Sequence, residues 1–123
     1  MTTTIAVDFD TSRTKLAYLK DGKPELMRFE NDRPYAPSLF YLPAGDGPIR
    51  WGNDAEAMLA RDPAGVVVTL KRQLGERHVR GAGGRKEAPG RLAALMLADL
   101  RRWAGERLPA FAGSSGQHRQ KRF

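Results

Sequence analysis

The sequence predicts an α/β fold in which a mixed β-sheet opens the chain and a long helix lies towards its end. Residues 3–9 are almost continuously apolar, and residues 15–20 alternate apolar and polar side chains, as strands do. Between residues 92 and 103, apolar side chains recur at spacings of three and four, which indicates one face of an α-helix. With 123 residues, 41% of them apolar, the chain can bury a modest core as one ordinary domain.

A three-strand meander is predicted at the N-terminus. The first strand, residues 3–9, should be buried on both faces because its apolar run is nearly unbroken. A polar turn at residues 10–12 leads to the second strand, residues 15–20, and Asp21-Gly22 is a strong hairpin turn before a third strand at residues 25–29. The first turn admits two interpretations. It is either a plain solvated hairpin turn or a site where a strand-end carboxylate and turn amides hold a metal and an anion.

The middle of the chain should contain short elements only. Two prolines first enforce an extended path, because proline lacks an amide donor and biases its neighbour away from helix. Short apolar strands are expected at residues 39–42 and 49–51. A helix over residues 53–61 should follow, with Asn53 or Asp54 as its N-terminal cap.

The second half is predicted to hold one long helix between two irregular segments. Residues 78–90 are rich in Gly, Arg and Lys and should form a flexible loop. The helix is expected over residues 88–107, with Pro89 in its first turn. Residues 109–123 are small and basic without periodicity, so a disordered basic tail is expected beyond a domain of residues 1–108. The stripe that should pack in the core consists of Leu92, Leu95, Met96, Leu100 and Trp103.

The net charge of +7 is unevenly distributed. Residues 1–70 hold 8 Lys/Arg against 10 Asp/Glu, whereas residues 71–123 hold 13 against 4. A basic half can bind nucleic acid, but aromatic interleaving, zinc-ligand spacing and a helix-turn-helix pattern are all missing from the sequence, so nucleic acid is not the expected partner. One function hypothesis left open is a small basic interaction domain that docks an acidic protein or nucleic acid.

The chain contains no cysteine, which excludes disulfides and thiolate chemistry and fits a reducing compartment. No apolar stretch has the length of a membrane span, and the first residues lack a basic segment followed by an apolar one. We therefore predict no membrane association, no signal peptide and a cytoplasmic location. His78 and His118 are isolated in the sequence and are expected to be surface side chains rather than ligands or catalysts.

Four short motifs follow one another between residues 8 and 75. Residues 8–13 are Asp-Phe-Asp-Thr-Ser-Arg, residues 32–38 contain Asp-Arg and Pro-Ser, and residues 71–75 are Lys-Arg-Gln-Leu-Gly. Gly52, Ala55 and Asp62-Pro63 lie between the last two. In this order they resemble the N-terminal part of the ATPase domain of the heat-shock 70 kDa (DnaK-like) chaperone family, which has Asp-Leu-Gly-Thr-Thr-Asn, Asp-Arg-Thr-Thr-Pro-Ser, a Gly with an Ala-containing helix and an Asn-Pro step, and Lys-Arg-Leu-Ile-Gly.

The resemblance implies part of the first lobe of an actin-like ATPase (ribonuclease H-like) fold, with a mixed β-sheet opening as the three-strand meander plus two or three helices. It also favours a helical turn over residues 66–74 that presents Lys71, whereas the β-branched residues 66–70 alone indicate a strand. Nothing in the 123 residues resembles the family's second phosphate loop, adenosine-binding segment, second lobe or peptide-binding domain. The chain is therefore expected to be an N-terminal fragment, with residues 1–108 as a truncated lobe.

The implied parent function is that of an ATP-dependent chaperone with ATP and Mg²⁺ as cofactors, and with unfolded polypeptides and co-chaperones as partners of the full-length protein. Without the second lobe, this chain is expected to be inactive as an ATPase. By resemblance, Asp8 helps to hold the metal, Thr11, Ser12 and Arg13 contact the nucleotide phosphates, and Lys71 is the catalytic residue. Lys71 would orient the attacking water and stabilise charge on the transferred phosphoryl group.

One position departs from the family pattern close to the predicted site. Asp10 stands where the family has Gly, so it adds a negative charge beside the expected phosphates. Two unit charges about 4 Å apart repel by about 4 kcal/mol at an effective dielectric of about 20, which predicts roughly several hundredfold weaker nucleotide binding unless the metal or Arg13 neutralises the charge. The resemblance further predicts a convergence in space of Asp8, Thr11, Ser12 and Lys71.

Overall fold

A computed structural model of the chain describes residues 3–68, 70–108 and 118–121. Within these residues the fold is mixed α/β, as predicted, with three sheets, two α-helices and four short 3-10 turns. The helices are α1 (Asn53–Glu56) and α2 (Pro89–Arg107). The strands are β1 (Thr3–Phe9), β2 (Arg13–Lys20), β3 (Lys23–Leu26), β4 (Ala36–Pro37), β5 (Phe40–Tyr41), β6 (Arg50–Trp51), β7 (Val66–Val67), β8 (Val79–Arg80), β9 (Lys86–Glu87) and β10 (His118–Lys121).

The largest sheet contains the predicted meander. Its strand order is β10-β1-β2-β3, and β4 is attached to the start of β2. β2 runs antiparallel to both β1 and β3, which confirms the predicted meander. Asp21 (φ 53°) and Gly22 (φ 79°) form its second turn, and pairing resumes at once between Lys20 and Lys23. This two-residue turn starts β3 at Lys23, before the predicted residue 25.

β1 buries one face only, which corrects the prediction that both faces are buried. Ile5, Val7 and Phe9 lie in the core, whereas Thr4 and Asp8, on the other face, are exposed. In an antiparallel sheet, one face commonly packs on the core while the other stays solvated. The apolar run could not reveal this difference, because burial depends on which elements pack on each face.

α2 supplies the main packing partner of the core and confirms the predicted long helix, with Pro89 as its first residue. Its fully buried side chains include Leu92, Met96 and Leu100, whereas Leu95 is 39% exposed and does not belong to the buried stripe. Trp103 is partly buried and stacks on Trp51, with ring centroids 5.4 Å apart. Among the residues described, no helix combines the length and the apolar content needed to cross a membrane.

A small sheet of β6, β5 and β7 lies next along the chain. β7 pairs with β5, so the favoured helical turn over residues 66–74 is wrong for Val66 and Val67, and the strand indicated by their β-branched side chains is present. A 3-10 turn does form at Leu70–Gln73. Val66 and Val67 are extended because their backbone pairs with Tyr41 and Phe40. The predicted helical turn is present only from Leu70 onwards.

α1 is shorter than the predicted helix over residues 53–61. It ends at Glu56, and the amides of Met58, Leu59 and Arg61 then bond three residues back, as Met58 N does to the Ala55 carbonyl oxygen at 3.0 Å. Gly52 occupies the cap position with φ 69°, and neither Asn53 nor Asp54 caps the helix. The chain thus enters α1 through a backbone conformation that glycine adopts readily, in place of a side-chain cap.

Residues 78–90, predicted as a flexible loop, instead contain the β8–β9 hairpin. Gly81 lies so close to Leu42 that an added Cβ would approach the Leu42 Cβ to 2.3 Å. Arg85 donates to the carbonyl oxygens of Pro43 (3.1 Å) and Gly47 (2.6 Å). The Gly and Arg residues that suggested mobility therefore serve close packing and loop anchoring.

β10 corrects part of the predicted disordered tail of residues 109–123. Residues 118–121 form a strand that runs parallel to β1, with Ile5 opposite Gln120 and Ala6 opposite Lys121. The remainder of that predicted tail lies outside the described residues. Without β10, β1 would be the edge of the sheet and would offer unpaired backbone groups to any extended segment, so this pairing needs no apolar pattern in the partner.

Candidate functional site

The turn between β1 and β2 is the centre of the predicted site. The Asp10 amide donates to the Arg13 carbonyl oxygen at 3.0 Å and closes the turn. The Thr11 amide donates to the Asp10 side chain, with 2.8 Å between Thr11 N and Asp10 Oδ1. Thr11 is partly buried and Ser12 is exposed. The turn therefore places short polar side chains at the end of a strand that is buried on one face, and the Asp10 and Thr11 amides are bonded within the turn.

A buried hydroxyl pair anchors this turn to the rest of the domain. Thr14 and Ser38 are both buried, and their hydroxyl oxygens are 2.8 Å apart. Thr14 Oγ1 also contacts the Met96 sulfur of α2 at 3.8 Å, and the Ser38 amide donates to the Ser12 carbonyl oxygen at 3.0 Å. These contacts hold the start of β2 against both β4 and the long helix.

Lys71 reaches the same turn from a distant part of the sequence. It lies on the 3-10 turn Leu70–Gln73, whose first residue, Leu70, is buried. The Lys71 Nζ atom is 3.9 Å from Asp10 Oδ1, with side chains 45% and 68% exposed. The structure therefore brings Lys71 to the turn that carries Thr11 and Ser12, and the contact itself is with Asp10.

Asp8 and Arg13 flank the turn in different ways. The Asp8 side chain is on the exposed face of β1, and Lys15 stands directly opposite it in the antiparallel ladder. Directly opposed residues have neighbouring side chains, so Lys15 is a cation next to the predicted metal-binding carboxylate. The Arg13 guanidinium lies over the Tyr35 ring, 4.4 Å from its centroid.

A cluster around Arg33 adjoins the site and was not expected from the sequence. Arg33 donates to Asn53 (3.1 Å), to Glu56 (3.0 Å) and to the Tyr35 hydroxyl (3.0 Å). Its guanidinium also lies over the Tyr35 ring at 4.7 Å, so two arginines contact one aromatic ring. The hydrogen bond from Arg33 lowers the pKa of Tyr35, and bonds to Tyr35 and Glu56 raise the pKa of Arg33.

Sequence reasoning also missed the roles of Thr14 and Ser38. Thr14 precedes the predicted start of the second strand, although it shares its buried face with Leu16, two residues on. Ser38 follows Pro37 in one of the recognised motifs. A hydroxyl side chain at an inward position of a strand needs a polar partner, and this was the signal that could have paired the two residues.

The carboxylates beside this turn fit a divalent cation only if other ligands complete its shell. Within the described side chains, no group of three His, Cys, Asp or Glu residues is arranged to hold a metal. Mg²⁺ binds through one or two carboxylates, several waters and phosphate oxygens. Asp8, in β1, and Asp10, which follows the end of β1, would need water and phosphate oxygens to complete such a shell.

Comparison with known proteins finds similarity to bacterial chaperones over part of the chain. The chain is 35% identical over 72 residues to a chaperone protein HscA homolog of Ralstonia nicotianae, and 32% identical over 72 residues to that of Ralstonia pickettii. An HscA homolog of Acinetobacter baumannii is 28% identical over 71 residues. Each match covers 58% of this chain and 11% of the relative. No protein-family profile matches the sequence.

The chain thus spans about a tenth of the length of the relatives that it matches, 11% in each case. HscA belongs to the heat-shock 70 chaperones, and the similarity supports a relationship of this chain with them. It agrees with the family resemblance found in the four sequence motifs.

Proposed function

We propose that this chain forms the phosphate-facing part of an ATP-dependent chaperone ATPase of the heat-shock 70 type, with an actin-like first lobe. The main observation in support is that Lys71 lies at the β1–β2 turn, with its Nζ 3.9 Å from Asp10 Oδ1. The similarity to HscA homologs over 58% of the chain supports the same proposal. Unfolded polypeptides and co-chaperones would be partners of a longer protein, in the cytoplasm.

Each side chain of the proposed site would have a distinct chemical role. Asp8 would hold Mg²⁺ through water, which is adequate because this ion retains most of its waters and takes further oxygens from phosphate. Thr11, Ser12 and Arg13 would contact the nucleotide phosphates through amides, hydroxyls and positive charge. Lys71 would stabilise charge on the transferred phosphoryl group. The bound Mg²⁺ would supply charge neutralisation on the phosphates.

Binding of a fluorescent ATP analogue to the full chain, with and without Mg²⁺, tests the proposal. We expect Asp8→Ala and Lys71→Ala each to weaken Mg²⁺-dependent binding by about tenfold or more. Asp46→Ala and Arg72→Ala are matched controls, because both residues are exposed and Arg72 adjoins Lys71 on the same turn. Unchanged binding in both site variants, with folding verified by circular dichroism, would contradict the proposal.

A small basic interaction domain remains the second candidate. The exposed cations of the second half favour it, including Arg72, Arg77, Arg80 and Arg101. Such a domain would bind an acidic protein or nucleic acid with a steep salt dependence and would be insensitive to Asp8→Ala. A salt titration of binding to a polyanion such as heparin, repeated with Asp8→Ala, separates the two functions.

A further inference from the structure

We propose that Asp10 is an internal competitor of phosphate, a specificity-determining residue whose carboxylate occupies the anion position of the β1–β2 turn. The identification of this turn as a phosphate site rests on the proposed function. The competition itself is a property of Asp10 and the two groups that contact it. It predicts that free phosphates gain access to the turn only when the carboxylate is neutralised, removed or displaced.

The geometry is that of an anion already bound. A single atom, Asp10 Oδ1, accepts the Thr11 amide at 2.8 Å and lies 3.9 Å from Lys71 Nζ. A turn amide and a lysine ammonium are the groups that a phosphate oxygen would use at such a turn. The carboxylate therefore takes up both partners and places a negative charge where a phosphate oxygen would lie.

The φ angle does not require an aspartate at this position, and the local role of its side chain is to accept the Thr11 amide. The non-glycine residues with positive φ in the described chain are Asp21, Asn31 and Asp32, so Asp10 is not in the left-handed region. Its side chain is 68% exposed, and its two contacts are with Thr11 and Lys71. Substitution at Asp10 should therefore leave the turn folded while changing what its amide and the lysine can bind.

Exposure also makes the carboxylate displaceable. Both partners of the Lys71–Asp10 ion pair are exposed to water, where such pairs are weak. A divalent cation bound to Asp8 and Asp10 would neutralise the carboxylate and admit a phosphate compound. Asp10 would thus make anion binding depend on Mg²⁺, and it would discriminate against metal-free phosphates.

Calorimetric titration of the full chain with inorganic pyrophosphate, without Mg²⁺, tests this inference. Asp10→Asn removes the charge with little change in shape, and Asp10→Ala also removes the oxygen that accepts the Thr11 amide. We expect pyrophosphate to bind Asp10→Asn about tenfold or more tightly than the unmodified chain, and Asp10→Ala at least as tightly as Asp10→Asn. Adding Lys71→Ala to Asp10→Asn should reverse the gain. Asp46→Asn controls for net charge.

The inference would be overturned if neither Asp10 variant bound pyrophosphate more tightly than the unmodified chain. Unfolding midpoints verify that both variants are folded. A gain equal to that of Asp46→Asn would also overturn it, because net charge alone would then explain the effect. This test is independent of the test of the proposed function, which measures Mg²⁺-dependent nucleotide binding in Asp8→Ala. A gain in the Asp10 variants with no effect of Asp8→Ala would uphold the competitor and reject the ATPase site.

Discussion

The buried and the exposed sides of the β1–β2 turn are built on different principles. On the buried side, the Thr14 hydroxyl contacts both the Ser38 hydroxyl at 2.8 Å and the Met96 sulfur at 3.8 Å. On the exposed side, the Lys71–Asp10 ion pair is long, at 3.9 Å, and both side chains are accessible to water. The first set of contacts fixes a position, and the second leaves charges free to exchange partners.

In this turn, the buried side chains therefore contribute to stability, and the exposed side chains are available for ligand binding. Buried polar groups cost free energy unless they are bonded, so Thr14 and Ser38 depend on each other. Exposed ion pairs contribute little, so Lys71 and Asp10 can be changed without unfolding the domain. Substitutions on the buried side should act through stability, whereas those on the exposed side should act through ligand binding.

The largest effect is expected for Met96→Ala. Met96 is fully buried in α2, so truncation removes apolar contacts and leaves a cavity beside Thr14. We expect the free energy of unfolding in urea to fall by about 2–5 kcal/mol. Leu95→Ala is the matched control in the same helix, because Leu95 is 39% exposed and should cost much less. Equal losses in the two variants would contradict this assignment of the buried face.

Thr14→Val should have an intermediate effect. Valine has nearly the shape of threonine but no hydroxyl, so the buried Ser38 hydroxyl would lose its 2.8 Å partner. We expect a loss of about 1–3 kcal/mol in the free energy of unfolding. A double-mutant cycle with Ser38→Ala measures the coupling, and the double variant should be more stable than the sum of the single losses predicts. Strict additivity would show that the two hydroxyls act independently.

Local signals explain what could be predicted of the fold. The Asp21-Gly22 turn and the apolar stripe of α2 each lie within a short segment, so the meander and the long helix could be recognised. β7 and β10 pair with strands far away in the sequence, β5 and β1 respectively. β8 and β9 pair with each other, but their Gly- and Arg-rich hairpin has the composition of a loop. The single buried face of β1 likewise depends on what packs against it.

In the candidate site, too, the features set by local sequence could be predicted and those set by long-range contacts could not. Its turn could be located from Asp8 and the polar residues that follow, but the approach of Lys71 came from the family resemblance and not from any local pattern. The Thr14–Ser38 and Arg33–Glu56 contacts were missed because the paired residues are 24 and 23 positions apart, respectively. Contacts of this range appear only when the chain is folded.

Lys71→Ala should change stability very little. Both partners of its ion pair with Asp10 are solvated, so we expect a change in the free energy of unfolding well below about 1 kcal/mol, and smaller still at high salt. Urea denaturation at low and high ionic strength measures it, with Arg72→Ala as the control on the same 3-10 turn. A loss as large as that of Thr14→Val would show that Lys71 has a structural role at the turn.

The smallest effects are expected in the alkaline titration of two tyrosines. The hydrogen bond from Arg33 lowers the pKa of Tyr35 below its ordinary value of 10.0, whereas the hydrogen bond from the Tyr41 hydroxyl to Asp62 raises the pKa of Tyr41 above it. Ultraviolet absorbance of tyrosinate should therefore show Tyr35 ionising before Tyr41. Tyr35→Phe should remove the early part of the titration, and Tyr41→Phe the late part.

The same shifts give opposite pH dependences of stability. Because Tyr35 has the lower pKa in the folded state, its ionisation stabilises the fold above about pH 10, and this contribution is lost as the pH falls through the lowered pKa. The contribution of Tyr41 is present below about pH 10 and is lost as the pH rises through the raised pKa. Unfolding midpoints measured across this alkaline range should therefore fall less steeply with pH in Tyr41→Phe than in Tyr35→Phe. The reverse order would show that the Arg33 cluster beside the turn does not favour the tyrosinate.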